Sequence, residues 1–493
     1  MMKPEMMLAA VLAPILGGIL IPLIPFKKRN HMAVYVETVV VLTSLLVTGL
    51  LMNRPTQAMP IVRFVNNISL SLRIDGLSMV FAGLVSALWP LATLYSFEYM
   101  KHEKHEKPFF MFYMVTYGIT LGIAFAEDML TMYFFYELLT MVTVPLVLHT
   151  LTREAILASR KYLYYSLGGA AFAFLGLIFL LTYGTTLDFT YGGVLDVAIT
   201  QGTYRNHLLL IYVIAFCGFG VKAAICPFNS WLPQAGVAPT PVTALLHAVA
   251  VVKAGAFAIM RLTWYSFGTD FIRGTWAQDV VMGIVIFTIV YGCSRALKET
   301  HLKRRLAYST ISNLSYILFG VCIMTPAGLV GALSHMVFHA VIKITSFFCV
   351  GAVMYKTQKQ YVHEIDGFGR KMPITFGIFT VSALALMGVP GLAGFISKWN
   401  LATAAVMSES GMAYIGIGAL LISALLTAIY MLSIVMRAFF PGKGSQVSIP
   451  EGTEDPNWLM LVPLTLFAAA TLLFGLHSAP IVSFFARIAE GSL

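Results

Sequence analysis

Along most of the chain, apolar residues run for long stretches without a charge before a short polar segment interrupts them. A helix rises 1.5 Å per residue, so a run of about 20 residues crosses a hydrocarbon core of about 30 Å. The runs fall at 6–25, 33–52, 76–97, 109–126, 129–149, 161–183 and 208–227. They continue at 241–263, 279–297, 305–324, 327–355, 374–407, 411–438 and 457–476. The pattern predicts an all-α polytopic membrane protein of fourteen spans, and an even number puts both termini on one side. Pro227 in the seventh span and Pro390 in the twelfth predict broken helices, five spans apart and therefore running in opposite directions. Interrupted helices at membrane depth occur where they are buried or line a cavity, and paired in inverted repeats they are a transporter feature. Between spans, the alternation in IVRFVNNISLSLRID predicts a short hairpin, and residues 439–456, rich in Gly, Pro and Ser, a flexible loop.

Composition narrows the class. With 493 residues, 58% hydrophobic, 11% charged and a mean hydropathy of +0.82, the chain is excluded from the large soluble proteins. The net charge of +10 is spread over short loops with no contiguous basic surface, which argues against nucleic-acid binding. Loops after odd-numbered spans hold 20 of the 32 Lys and Arg, Lys443 among them, while the termini and the other loops hold 8. By the positive-inside rule both termini face outward. The run from Leu8 to Pro25 ends in Phe26-Lys27-Lys28-Arg29 without a cleavage pattern, so it is expected to be a retained helix. Cys217, Cys226, Cys293, Cys322 and Cys349 lie in or beside apolar spans with no CxxC spacing, which leaves no local case for zinc or an iron-sulfur cluster. KHEKHEK, residues 101–107, alternates in sign and is expected to be a solvated turn.

The four remaining basic residues are Lys222, Lys253, Lys343 and Lys398, all inside spans. A lysine at the centre of a membrane helix costs about 2.5 to 3.5 kcal/mol, so it normally faces the protein interior or a water path. Lys222, His247 and Lys253 fall within residues 219–260, where Pro227, Pro233, Gly236, Pro239 and Pro241 break helical bonding. Glu137 stands about 12 Å beyond the start of its span, close to mid-membrane, where a carboxylate beside an ammonium has two states that nearby charge can switch. The plainer alternative is a static ion pair. His335, His339 and Lys343 at i, i+4 and i+8 are expected to stack three titratable groups on one helical face over about 12 Å. They read as a proton relay, as structural core histidines or, least well, as zinc ligands lacking a completing cysteine or carboxylate.

Several segments together resemble the antiporter-like membrane subunits shared by respiratory complex I, membrane-bound energy-converting hydrogenases and Mrp-type Na⁺/H⁺ antiporters, with a likeness to the D subunit of the last. They are Asp75-Gly76-Leu77-Ser78, Glu137 in FFYELL, the stretch 219–260, LKRRLAYSTISNLSYI from Leu302, HMVFHAVIK from His335 and GVPGLAGFISKW from Gly388. The resemblance implies spans four to eight repeated in inverted form as nine to thirteen. The domains are then 1–108, 109–264, 279–438 and 457–493. It implies that Glu137 pairs with Lys222, that Lys253 is the central lysine, and that Lys398 communicates with an outer half-channel. The expected axis is Glu137, Lys222, Lys253, His339, Lys343, Lys398, with His247 and His335 beside it. No nucleotide loop, GxGxxG or cluster ligand set is present, so no cofactor and no redox site of its own are expected; partner subunits supply the drive. The implied function is proton translocation within a redox-driven complex containing other antiporter-like and small membrane subunits and peripheral iron-sulfur subunits, in a prokaryotic cytoplasmic membrane. A multi-subunit Na⁺/H⁺ antiporter and a passive membrane scaffold are the alternatives. Two departures from the family pattern are present: Lys398 stands where one complex I branch has glutamate, which leans toward the Mrp-like and hydrogenase-like branches, and His301 stands where the family often has Asp, which removes the carboxylate of an ion pair at that inner loop.

Overall fold

The computed structural model describes residues 3–64, 68–196, 200–442 and 447–492. In chain order the helices are α1 (Glu5–Leu20), α2 (Arg29–Asn53), α3 (Gly76–Tyr99), α4 (Glu106–Phe125), α5 (Met129–Val147), α6 (Arg153–Tyr183), α7 (Arg205–Lys222) and α8 (Trp231–Ala235). The continuous helical run α9 (Thr240–Phe267) is followed by α10 (Thr269–Ile272), α11 (Trp276–Lys298), α12 (Leu302–Ile323) and α13 (Pro326–Thr357). The chain then forms α14 (Pro373–Met387), α15 (Ala393–Met407), α16 (Gly411–Phe439), α17 (Trp458–Leu476) and α18 (Ala479–Ala489). Side-chain caps start several of them, with Asp75, Asp128, Thr152 and Thr325 accepting from the backbone N–H of Ser78, Thr131, Ala155 and Gly328.

Eleven helices among the described residues are long and apolar enough to cross a membrane. Three expected spans correspond to shorter or interrupted elements: α1, α7, and the pair α14 and α15. The seventh ends at Lys222 rather than near residue 227, because Ala224 takes a left-handed backbone (φ 57°) and stops the helix. The twelfth breaks as expected. Gly388 at φ 94° ends α14, and Gly394 lies so close to α14 that a Cβ there would stand 1.8 Å from the Ala385 carbonyl oxygen.

The enclosed helices are those that carry charge. α9, α12 and α13 are almost wholly buried by their neighbours, whereas α2 and α17 keep most of their apolar surface outward. Burial in protein rather than lipid is what makes internal lysines tolerable. α9 is also irregular. It widens into π-helix at Leu245–Val249, where the Ala250 N–H reaches back to the Leu245 carbonyl (2.9 Å), and again at Arg261–Phe267.

The expected hairpin is present as β1 (Met59–Arg63) paired antiparallel with β2 (Ser69–Leu72), in register Met59↔Leu72 and Arg63↔Ser69. Its tip at 65–67 and the loop centre at 443–446, with Lys443, lie outside the described residues. α18 was not expected from the apolar runs. It packs Phe485, Ile488 and Ala489 inward, and its last carbonyl accepts from the Tyr191 hydroxyl at 2.5 Å. Three charges expected in loops are instead buried: Arg261 in the second π-segment of α9, and Lys303 and Arg305 in the first turn of α12.

Candidate functional site

Six of the eight singled-out residues come from α9, α13 and the end of α7, which pack together at the centre of the bundle. Lys222, 1% exposed, lies 3.8 Å from Glu137 of α5, donates to the Tyr136 carbonyl, and sits over the Tyr136 ring at 3.3 Å. It meets α9 at Gly255, where a Cβ would be 3.1 Å from Lys222 Cβ. Two helical positions before Gly255, Lys253 turns to α13 and its ammonium nitrogen is 2.7 Å from His339 Nδ1. The His339 ring stacks on His335 (centroids 5.6 Å apart), and His335 Nδ1 is 2.9 Å from the Ser397 hydroxyl of α15. The Tyr316 ring lies against His335 and under the Lys398 ammonium, at 5.1 and 5.4 Å. Lys398 donates to the Leu386 (2.5 Å) and Met387 (3.1 Å) carbonyls that the break between α14 and α15 leaves free.

The spatial order is therefore Glu137, Lys222, Lys253, His339, His335, Lys398. Lys343 was expected between His339 and Lys398, and the structure puts it elsewhere. Eight residues of helix turn through about 80° beyond two full turns, so His335 and Lys343 face different neighbours. Lys343 donates to the Ser309 hydroxyl of α12 at 2.8 Å. His247, fully buried in the first π-turn of α9, packs on Phe347 at 4.9 Å, and neither ring nitrogen has a hydrogen-bond partner. Lys343 and Lys303 are its charged neighbours.

The structure adds residues that the sequence reading passed over. Lys303 donates to the Ala238 carbonyl (2.8 Å) and lines a vestibule with Tyr99, Glu103, Val237 and Gln360 at the end of the bundle that carries most of the basic loops. At the opposite end, Arg261 is held by both carboxylate oxygens of Asp75 and by Ser78 (3.0 Å), among the rings of Phe189, Phe257 and Tyr265. Beside it, in the turn between α4 and α5, burial raises Glu127 to about 7 against the opposing pull of Arg73, and burial raises Asp128 to about 6. Glu137 is also not alone among acids in the apolar helices. Glu37 of α2 buries one oxygen without a partner, and Glu98 of α3 is bonded by Lys101 (2.5 Å) and Tyr355 (3.1 Å). The signal for these was available: a single Glu, Arg or Lys inside otherwise apolar sequence.

Chemically, the arrangement is a line of amines, imidazoles and a carboxylate in which neighbours are within hydrogen bond or stacking distance at most steps, with unpartnered nitrogens on His247, His335 and His339. It can hold and pass protons; among the described residues no group of three or more His, Cys, Asp or Glu comes together to hold a metal.

Comparison with known proteins gives the same direction. Residues 126–430 match the family described as NADH:quinone oxidoreductase/Mrp antiporter, TM, and residues 64–110 match the complex I chain 5 N-terminus family. The chain is 32% identical to NAD(P)H-quinone oxidoreductase chain 4 1 of Picosynechococcus sp., over 96% of this chain and 87% of that one. It is 28% identical to NADH-quinone oxidoreductase subunit N of Desulforudis audaxviator, over 84% and 83%. Its fold is that of a chain of the membrane-bound sulfane sulfur reductase, an archaeal respiratory membrane complex (TM-score 0.85, 20% identity, 99% and 98% covered). A chain of the Mrp complex from Dietzia sp. matches with a TM-score of 0.82 at 18% identity, over 99% and 97%. The matched region, the identity over nearly the whole length and the shared fold agree: this integral membrane protein belongs to the NADH:quinone oxidoreductase/Mrp antiporter transmembrane family.

Proposed function

We propose that the chain is the proton-translocating membrane subunit of a multi-subunit, redox-driven complex. The observation that carries the reading is the buried line from Glu137 through Lys222, Lys253, His339 and His335 to Lys398, enclosed by apolar helices. A scaffold gains nothing from burying so many ionisable groups, each of which costs desolvation. The basic end of the bundle is the inner face of a prokaryotic cytoplasmic membrane, with both termini outward and fourteen crossings. Spans four to eight and nine to thirteen form two inverted units within domains 1–108, 109–264, 279–438 and 457–493.

Protons enter from the vestibule at Lys303, reach His247 and load Lys253. Charge at Glu137 and Lys222 biases that loading, because like charges repel and opposite charges attract strongly in a water-poor interior. A proton on Lys253 passes by way of His339 and His335 towards Lys398, whose carbonyl partners at the helix break open to the outer side. The chain holds no cofactor; electron transfer belongs to peripheral iron-sulfur subunits, and other antiporter-like and small membrane subunits complete the assembly. The relatives named as quinone oxidoreductase chains support the redox reading. A Na⁺/H⁺ antiporter subunit is the second reading, favoured by the fold shared with the Mrp complex chain and by lysine at position 398.

The test is purification from the native membrane in mild detergent, with identification of what accompanies the chain and a scan for iron-sulfur and flavin absorbance. Redox subunits are the expected result. Small membrane subunits without chromophores favour the antiporter, and sodium-dependent proton flux is then the assay. A chain that travels alone refutes both.

A further inference from the structure

Lys343 leaves the central line and enters a second, purely hydroxylic one. Its ammonium donates to Ser309 Oγ at 2.8 Å, the Tyr430 hydroxyl of α16 donates to the same oxygen at 2.8 Å, and Tyr430 is 3.1 Å from the Thr427 hydroxyl. All four side chains are at most 1% exposed. At 1.5 Å per residue, Ser309 lies about 10 Å from the start of α12, Tyr430 about 14 Å from the end of α16 and Lys343 about 21 Å from the end of α13, so Ser309 and Tyr430 both stand nearer the basic end than Lys343 does. There Arg305 closes it. Its guanidinium donates to the Tyr430 carbonyl (3.1 Å), Ser433 Oγ (2.8 Å) and the Glu299 carbonyl (2.8 Å). Arginine keeps its proton in proteins, so it blocks rather than conducts.

We infer that Ser309 and Tyr430 form a proton-relay branch joining Lys343 to the basic end of the bundle, with Arg305 as its gate. The inference rests on the proton-translocation reading. When Arg305 swings aside and water reaches Tyr430, a hydronium ion gives a proton to Tyr430 Oη and becomes water, as the Tyr430 hydroxyl proton passes to Ser309 Oγ. Ser309 passes its own to the Lys343 amine. Each hydroxyl gains and loses one proton, and the net change is one proton on Lys343. The observed hydrogen bonds, with both the ammonium and Tyr430 pointing into Ser309 Oγ, are those of the loaded state once the two hydroxyls have rotated back to receive the next proton. The branch thus gives the second half of the molecule its own inner access, and because the Lys343 charge faces Lys253 and drives its proton onward, each turnover needs this access as well as the vestibule at Lys303.

The test uses the native complex in liposomes containing a pH-sensitive dye, with a potassium diffusion potential set by valinomycin and proton flux read directly. Tyr430→Phe and Ser309→Ala are expected to slow flux about a hundredfold, the scale of losing one proton-transfer group. Ser309→Thr, which keeps the hydroxyl and adds a methyl, retains it; a packing role would be hurt more by Thr than by Ala. Wild-type flux in Tyr430→Phe and Ser309→Ala, with flux lost in Glu137→Gln, overturns the branch and leaves the translocation reading standing. Equal loss in Ser309→Ala and Ser309→Thr also overturns it. Flux unaltered even in Glu137→Gln overturns the translocation reading, and the branch with it. Should Tyr430→Phe fail to assemble, the two Ser309 variants decide.

Discussion

Glu137→Gln keeps the shape of the side chain and removes its charge, which isolates what the carboxylate does for Lys222. The two groups are 3.8 Å apart, with Lys222 1% exposed and Glu137 22% exposed. Unit charges at that separation attract by about 4 kcal/mol at an effective dielectric constant of about 20. Solvent at Glu137 weakens this, and about 2 to 4 kcal/mol is the working range. At 1.36 kcal/mol per tenfold, that is about thirty- to a thousandfold in any equilibrium that moves charge onto or off Lys222. The assay is proton flux through the reconstituted complex under an imposed potential, measured for Glu137→Gln, Lys222→Met and the double variant. A pair that acts as one unit makes the effects non-additive, so the double variant is no slower than the worse single one. Assembly gives a second readout. Stranding a buried charge by removing its partner costs about 3 to 5 kcal/mol, so the double variant is recovered in better yield than Glu137→Gln alone. Multiplicative losses, or wild-type flux in Glu137→Gln, would refute the account of the pair as a switch.

Four further outcomes follow from the geometry. His247→Leu removes two nitrogens that have no hydrogen-bond partner, so the complex assembles normally while proton flux falls about a hundredfold; normal flux would make His247 a core residue. Lys398→Ala abolishes flux to the outer side but leaves loading from the inner side, read as proton uptake without release in a single turnover. Glu127, raised to about 7 by burial, holds its proton in the folded state well above the pH at which the unfolded chain releases it. Stability of the cap around Glu127 is therefore full below the unfolded value of 4.5 and declines as pH rises through about 7. Hydrogen exchange in residues 187–194, corrected for its intrinsic pH dependence, speeds up from pH 5 to pH 8, and Glu127→Gln removes the part of the trend centred near pH 7 while Asp128, raised to about 6, keeps the part below it. Gly268→Ala lowers the melting temperature of the complex, because Gly268 sits at φ 84° and a Cβ would stand 2.1 Å from the Gly192 carbonyl oxygen, a backbone clash worth about 1 to 3 kcal/mol; an unchanged melting temperature would mean that this contact is easily relieved.

Much of the architecture is written locally. Apolar runs of membrane length, prolines at 227 and 390, and lone charges in apolar sequence are each properties of a short window, and the bilayer converts them into helices, breaks and interior-facing groups with little need of distant contacts. That is why Glu137, Lys222, Lys253, His339 and Lys398 stand out in the sequence. What the windows do not contain is the angle at which each helix presents its side chains, and which carbonyls a neighbour leaves open. The order of the line turned on a rotation of about 80° between His335 and Lys343, which sends one to Ser397 and the other to Ser309. Arg261, Lys303 and Arg305 look like loop charges at the ends of runs, and they become buried only because Asp75, the Ala238 carbonyl and α16 come to them from elsewhere in the chain. Serine and tyrosine are ordinary in membrane helices, so Ser309 and Tyr430 did not stand out until packing of α12 against α13 and α16 put Ser309 Oγ 2.8 Å from both the Tyr430 hydroxyl and the Lys343 ammonium. Hydropathy and residue type mark the charges buried within apolar runs; tertiary packing decides which of them touch and which charges at the ends of runs are buried as well.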